Sequence, residues 1–172
     1  VYDSSLVTPE ETRDDIKSCG VPATQLANEN GFPKLANCIM LGKLMKETGY
    51  PGMKVIEFAF DGSPENEHKP TNYTENFVAY TGTHDNAPVR AMIEGMDREE
   101  RRAFELAFEK ECLTMETPCV TVTVEDEVES VVELLYASKA NTVIAPMHDI
   151  LALGEEARIN APSTVTGGML LM

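Results

Sequence analysis

Apolar residues fall along this chain in three short β-like runs set between longer stretches of helical spacing. The first run, Met53-Lys54-Val55-Ile56-Glu57-Phe58-Ala59-Phe60, is closed by Asp61-Gly62-Ser63-Pro64 and predicts a strand. Phe77-Val78-Ala79-Tyr80 predicts a second. Asn141-Thr142-Val143-Ile144-Ala145-Pro146-Met147 predicts a third, ended by a proline that cannot donate to a central ladder. Helical spacing recurs at Leu35, Ile39, Leu41, Leu44 and Met45, enough for about three turns. Asp97 to Met115 reads as a charged surface helix capped by Asp97 and carrying Phe104, Leu106, Phe108 and Leu113. Val120 to Val124 alternates like a strand but runs into a helical stripe at Val128, Val131, Val132 and Leu135. Thr8-Pro9-Glu10-Glu11 is a capping box, predicting a helix that stops near Cys19-Gly20. Gly20-Val21-Pro22, Gly31-Phe32-Pro33 and Gly49-Tyr50-Pro51 are loop signals, and Glu65 to Thr74 and Leu153 to Pro162 are polar loops. Strands separated by helical segments favour a parallel α/β sheet with right-handed crossovers.

Composition narrows the class. The 172 residues suit one domain, while a complete (β/α)8 barrel takes roughly 250. Lys and Arg number 14 against 29 Asp and Glu, a net charge of -15 with a pI near 4.5, which disfavours nucleic acid and anionic membranes as partners. No run approaches the ~20 apolar residues of a membrane span. The four cysteines form no CxxC pair and the three histidines have no metal-ligand spacing, so reduced thiols in a cytoplasmic protein are expected, with no metal or other cofactor. A Cys112–Cys119 disulfide stays open. The start Val1-Tyr2-Asp3 has no initiating Met, which suggests a piece of a longer chain.

Candidate chemistry concentrates at Thr81-Gly82-Thr83-His84-Asp85-Asn86, where a histidine and a carboxylate stand side by side just past a strand. An exposed polar turn accounts for the same six residues. Asp61 before Gly62 fits a β-turn as well as a binding group, Asn160 before Ala161-Pro162 fits a turn former, and Asn86 fits a loop-orienting role. Tyr73 either stacks on a ligand or covers a core edge.

Four segments taken in order, Tyr50-Pro51-Gly52-Met53-Lys54-Val55, Phe58-Ala59-Phe60-Asp61-Gly62, Tyr80-Thr81-Gly82-Thr83-His84-Asp85-Asn86 and Leu153-Gly154-Glu155-Glu156-Ala157-Arg158-Ile159-Asn160, resemble the C-terminal part of the 4-α-glucanotransferases. These are the amylomaltases or disproportionating enzymes of the α-amylase superfamily, and the resemblance covers residues 50 to about 168, with a thinner trace at Val7-Thr8-Pro9-Glu10. It implies a partial (β/α)8 TIM barrel whose three strands are the sixth, seventh and eighth, in a single domain over 1–172 with 20–48 as an insertion or helical connection. It further implies retaining transfer of α-1,4-glucan segments, with Asp85 as transition-state stabiliser. His84, Asp61, Asn160, Asn86 and Tyr73 become its sugar contacts. The family's nucleophile lies upstream of this sequence and its acid/base glutamate falls at about Tyr2. Gly167 to Met172 and Ala87-Pro88-Val89-Arg90 also depart from the family pattern. An isolated chain of this kind is expected to be an incomplete enzyme, or else a glucan-binding or scaffold module. Open sheet edges would favour self-association or pairing with a complementary barrel portion.

Overall fold

Short parallel pairing opens the first of two units, Val1–Pro51 and Gly52–Met172, into which the chain's contacts divide; the computed structural model describes residues 1–9 and 14–160. In the first unit β1 (Tyr2–Asp3) pairs with β2 (Gly20–Val21), and the sequence read Gly20-Val21 only as a loop signal. The Asp3 carboxylate organises the surrounding turns: it accepts from the Ser5 amide and hydroxyl and from the Thr24 amide and hydroxyl. These bonds hold it well below the usual carboxylate range. The Thr24 bonds also serve the start of α1 (Ala23–Glu29), whose Ala23 and Ala27 are buried. The expected α2 spans Ala36–Thr48 and stops at Gly49, which adopts φ +70° and donates back to Met45. The helix predicted from Thr8 is not seen over residues 14–19, of which 14–16 form a turn and bend and 17–19 are irregular, and Glu10 and Glu11 lie outside the described residues.

In the second unit β3 (Gly52–Val55) and β4 (Phe77–Tyr80) run parallel in the register Gly52↔Phe77 to Val55↔Tyr80. The predicted strand over Met53–Phe60 is therefore half its expected length. Past Val55 the chain folds into a 3-10 turn over Ile56–Phe58, tied to the segment after β4 by the Glu57 amide donating to the Thr81 carbonyl and to the following loop by the Asn66 side-chain amide donating to the Phe58 carbonyl. From β4 the chain passes through α3 (Val89–Gly95), α4 (Arg98–Met115) and α5 (Val124–Tyr136) before reaching β5 (Thr142–Ile144). β5 lies parallel to β4 with Tyr80↔Ile144, giving the order β3-β4-β5, and is followed by the short α6 (Met147–Ile150). Consecutive parallel strands, joined first by a loop with two 3-10 turns and then by three helices, make this an α/β fold.

Caps explain where α4 and α5 begin. Asp97 accepts from the amides of Glu99 and Glu100 while Glu100 reaches back to the Asp97 amide, a complete capping box. Thr123 and Asp126 form the same box at α5, so Val120–Val124 contains a cap where alternation suggested a strand. The inner faces of these helices bury Phe104, Phe108, Val128, Val131, Leu134 and Leu135 against Ile56, Ala79 and Ile93. Phe104 stacks on Phe108 at 5.5 Å, and Phe60 meets both edge-on. Leu106 and Leu113 instead face solvent. Tyr73, expected as a sugar contact, is a core residue at 2% exposure, with its hydroxyl donating to the His68 carbonyl. The polar loop around it includes a 3-10 turn, Pro70–Asn72. That turn is tied to α4 by the buried Glu111 carboxylate, which accepts from the Thr71 amide and hydroxyl and pairs with Lys69. All four cysteines are free thiols. Among the described residues no helix is long and apolar enough to cross a membrane.

Candidate functional site

Because Val55, Tyr80 and Ile144 finish their strands in register, the connections leaving β3, β4 and β5 emerge on one side of the sheet. The crevice outside the carboxyl ends of parallel strands is where α/β folds place ligands. The connection after β4 carries Thr81 to Pro88 and is anchored at both ends by one side chain. Asp149 of α6, 2% exposed, accepts the buried Thr81 hydroxyl on Oδ2 and the Val89 amide at 2.9 Å on Oδ1. Within the loop the Asn86 side-chain oxygen, Oδ1, accepts from the Thr83 amide at 2.9 Å and from its hydroxyl, while Thr83 Oγ1 accepts the Asp85 amide at 3.3 Å. Glycine is required at the first bend. A Cβ on Gly82 would stand 2.7 Å from a Glu57 carboxyl oxygen and 3.2 Å from the Asn86 Cβ.

The loop forms one wall of a cleft of about 650 Å³. Met53, Tyr80, Pro88, Pro146 and Ile159 supply apolar surface to it, and His148, Arg158 and Asn160 stand with the loop residues as its polar groups. Asp85 is the one carboxylate lining the cleft among the described residues. Its side chain is 56% exposed, with Oδ1 accepting the Asn160 side-chain amide at 2.9 Å and Oδ2 lying 3.4 Å from His84 Nε2. Arg158 fixes this pair from behind, donating to the Asp85 carbonyl at 3.1 Å and to the Asn160 carbonyl at 2.8 Å while it pairs with Glu155. The result is an oriented carboxylate with acceptor capacity left over, set among apolar walls. That combination suits a ring with hydroxyls on its edge and C–H groups on its face.

Of the residues singled out in the sequence, Asp85, His84, Asn86 and Asn160 come together in the cleft; Asp61 and Tyr73 do not. Asp61 borders a second cavity with Glu57, Phe58 and Phe60, and accepts the Ser63 amide at 2.9 Å, the bond of a turn residue. The Asn66 side chain, then the Ser63 amide, hold its carboxyl below the usual range. Tyr2 lies in β1 of the first unit. Sequence reasoning missed Asp149, Arg158, His148 and Glu57. Glu57 left a trace, as the one carboxylate between apolar neighbours in the Val55–Phe60 run. Burial, and then the charge of Asp149, push its carboxyl up to about 8, against the opposing effects of Asn86 and Arg158.

Comparison with known proteins points one way. A family model described as 4-alpha-glucanotransferase matches residues 40–169. The 4-alpha-glucanotransferase of Clostridium butyricum is 47% identical over 120 residues, covering 70% of this chain and 23% of that protein. The chloroplastic/amyloplastic 4-alpha-glucanotransferase of Arabidopsis thaliana is 38% identical over 126 residues, 73% of this chain and 20% of its own length. Among solved structures, an amylomaltase from Streptococcus agalactiae in complex with acarbose superposes with a TM-score of 0.60 at 34% identity, over 76% of this chain and 24% of its own. The chain thus spans about a quarter of the length of the relatives it matches.

Proposed function

This chain belongs to the 4-alpha-glucanotransferase family, and from that premise we propose that it supplies the sugar-gripping, transition-state-stabilising part of an α-1,4-glucan transfer site. In this reading β3, β4 and β5 are the sixth, seventh and eighth strands of a (β/α)8 barrel. The observation that carries it is the Asp85 carboxylate, clamped by Asn160 and facing a cleft at the carboxyl ends of parallel strands. As the bond to the leaving sugar stretches, the ring flattens and gains positive charge, and its hydroxyls become stronger donors. A carboxylate already oriented toward them binds the transition state better than the ground state, which contributes several kcal/mol, roughly 2–4, to the rate. His84 and Asn160 hold the same sugar, and Met53, Tyr80 and Ile159 cover its C–H face.

Retaining transfer also needs a nucleophile and an acid/base carboxyl about 5 Å apart. The described cleft holds Asp85 alone, which favours a second reading in which this chain binds glucan without turning it over. Calorimetry with maltoheptaose tests what the two share: millimolar binding is expected, weakened about tenfold in Asp85→Ala, and no heat at millimolar sugar would overturn both. Glucose release from maltotriose by the chain alone would exclude the binding-only reading.

Two further parts of the proposal concern its setting. Self-association is supported by β3 and β5, each with one strand neighbour among the described residues and with Met53 and Ile144 exposed. Light scattering showing a monomer at high concentration would contradict it. A cytoplasmic location is supported by the four free thiols, and a Cys112–Cys119 disulfide recovered from cells would argue against it.

A further inference from the structure

The three histidines differ in what their rings already do. His68 is committed to the fold: its Nδ1 accepts the Val55 amide at 3.1 Å and its ring meets Phe58 edge-on. His84 stands at the cleft with its side chain 82% exposed, so a bond it makes there competes with water. His148 is sheltered and uncommitted. Its side chain lines the same cleft at 19% exposure, and no hydrogen bond among the described residues reaches either ring nitrogen. Asp149 Oδ1 lies 3.7 Å from Nε2 and already accepts the Val89 amide. The sealed, unpartnered side-chain atoms of the described residues are Glu57 Oε1 and Glu127 Oε2, so the polar edge of the His148 ring stays accessible.

The backbone beneath this ring is held from several sides. The Pro146 carbonyl accepts the Asp149 and Ile150 amides, and the His148 carbonyl accepts the Leu153 amide at 2.8 Å. The next residue, Asp149, binds both ends of the loop that carries Asp85. His148 is therefore set on the same anchor as Asp85. A polar group placed in advance and partly dehydrated contributes more on binding than one that must be ordered first. In its neutral form an imidazole offers one donor and one acceptor, which a sugar hydroxyl can match in either tautomer.

We propose that His148 is a further glucan-binding residue of this cleft: from α6 its imidazole hydrogen-bonds a hydroxyl of the α-1,4-glucan that Asp85 and Asn160 also hold. The inference deepens the reading of the cleft as a glucan site and rests on it.

The test is calorimetry with maltoheptaose on the full chain, His148→Ala and His148→Gln, alongside NMR of the His148 ring nitrogens in the wild type as the sugar is added. The ring signals should shift and saturate at the affinity that calorimetry reads. His148→Ala should bind about fivefold more weakly. His148→Gln, which keeps a donor and an acceptor, should stay within about twofold of the wild type. A ring that merely packs the wall of the cleft would give neither the saturating shift nor the rescue. Should His148→Ala lose cooperative thermal unfolding, the wild-type ring titration and His148→Gln decide. Maltoheptaose that binds while the ring signals stay in place, or that binds a folded His148→Ala as tightly as the wild type, would overturn the role of His148 and leave the glucan site standing. No heat from any of the three proteins at millimolar sugar would overturn the glucan reading and this inference with it.

Discussion

Replacing Asp149 by alanine isolates the anchor of the loop after β4. The carboxylate accepts two hydrogen bonds in a site 2% exposed, from the Thr81 hydroxyl and the Val89 amide. A bond to a charged acceptor contributes roughly 1.5–3 kcal/mol, and each donor stranded in a buried site adds its own desolvation cost. Glu57, its carboxyl raised to about 8, is mostly uncharged at pH 7, so removing the Asp149 charge offsets little of this loss. The net loss should be about 3 kcal/mol, out of a total stability of roughly 5–15 kcal/mol. At about 2–4 °C per kcal/mol for a chain of this size, the midpoint of thermal unfolding drops by roughly 6–12 °C. Asp149→Asn should cost much less, about 1 kcal/mol: its carbonyl oxygen can take the Val89 amide while its NH2 donates to Thr81 Oγ1, the hydroxyl rotating to accept. Urea denaturation of the three proteins at pH 7 measures both differences. Asp149→Ala within about 0.5 kcal/mol of the wild type, or Asp149→Asn as damaging as alanine, would refute the two-bond anchor.

Other residues of the network give separate expectations. Asn160→Ala removes a bond to an exposed carboxylate, so unfolding should shift by less than about 0.5 kcal/mol. Maltoheptaose affinity should nevertheless fall about fivefold as Asp85 loses its orientation; unchanged affinity by calorimetry would dissociate Asn160 from the site. Glu57 titrates at about 8 when folded against an ordinary 4.5, so between those values the folded chain holds a proton the unfolded chain has released. Wild-type stability therefore falls as pH rises through that window and levels off above it. The full shift would be worth about 5 kcal/mol, which partial exposure reduces to about 2–3 kcal/mol. Glu57→Gln should thus be more stable than the wild type by that amount at pH 9 and equal to it at pH 4.5, and urea melts that stay parallel across pH would contradict this.

Local signals carried well where one chemical effect dominated. Asp97 and Thr123 start helices because each side chain takes up amides that would otherwise lack partners, and the bonds that do so lie within three residues. The strand at Phe77–Tyr80 and the loop after it were equally legible, since aromatic and branched residues give way abruptly to Thr-Gly-Thr. Failures came where distant contacts decide. Nothing near Glu57 announces that β3 ends at Val55, because that boundary is set by its register with β4. Tyr73 reads equally as a ligand-stacking or a core-edge aromatic, and only the core that closes around it separates the two. Asp149 is the clearest omission: it acts on Thr81, 68 positions earlier in the chain, and a lone aspartate among the mostly apolar residues after Pro146 gives no hint of that reach.

The site is therefore a product of long-range assembly, and this links its function to its folding. Asp85 receives its orientation from Asn160 and Arg158 more than seventy residues away, and its loop is closed by Asp149 sixty residues beyond Val89. None of these bonds can form until β5 has docked beside β4, which brings α6 and the 158–160 segment to the loop. A sugar that contacts Asp85 and Asn160 together binds only this docked arrangement, so it must stabilise it by mass action. For millimolar affinity and sugar at about ten times the dissociation constant, the gain is about 1.4 kcal/mol. Hydrogen exchange should register that gain at the amides of β5 and the 81–89 loop. Amides at the frayed ends of α4 that exchange by local opening should be left as they were, while α4 amides that exchange only on global unfolding should gain by the same amount.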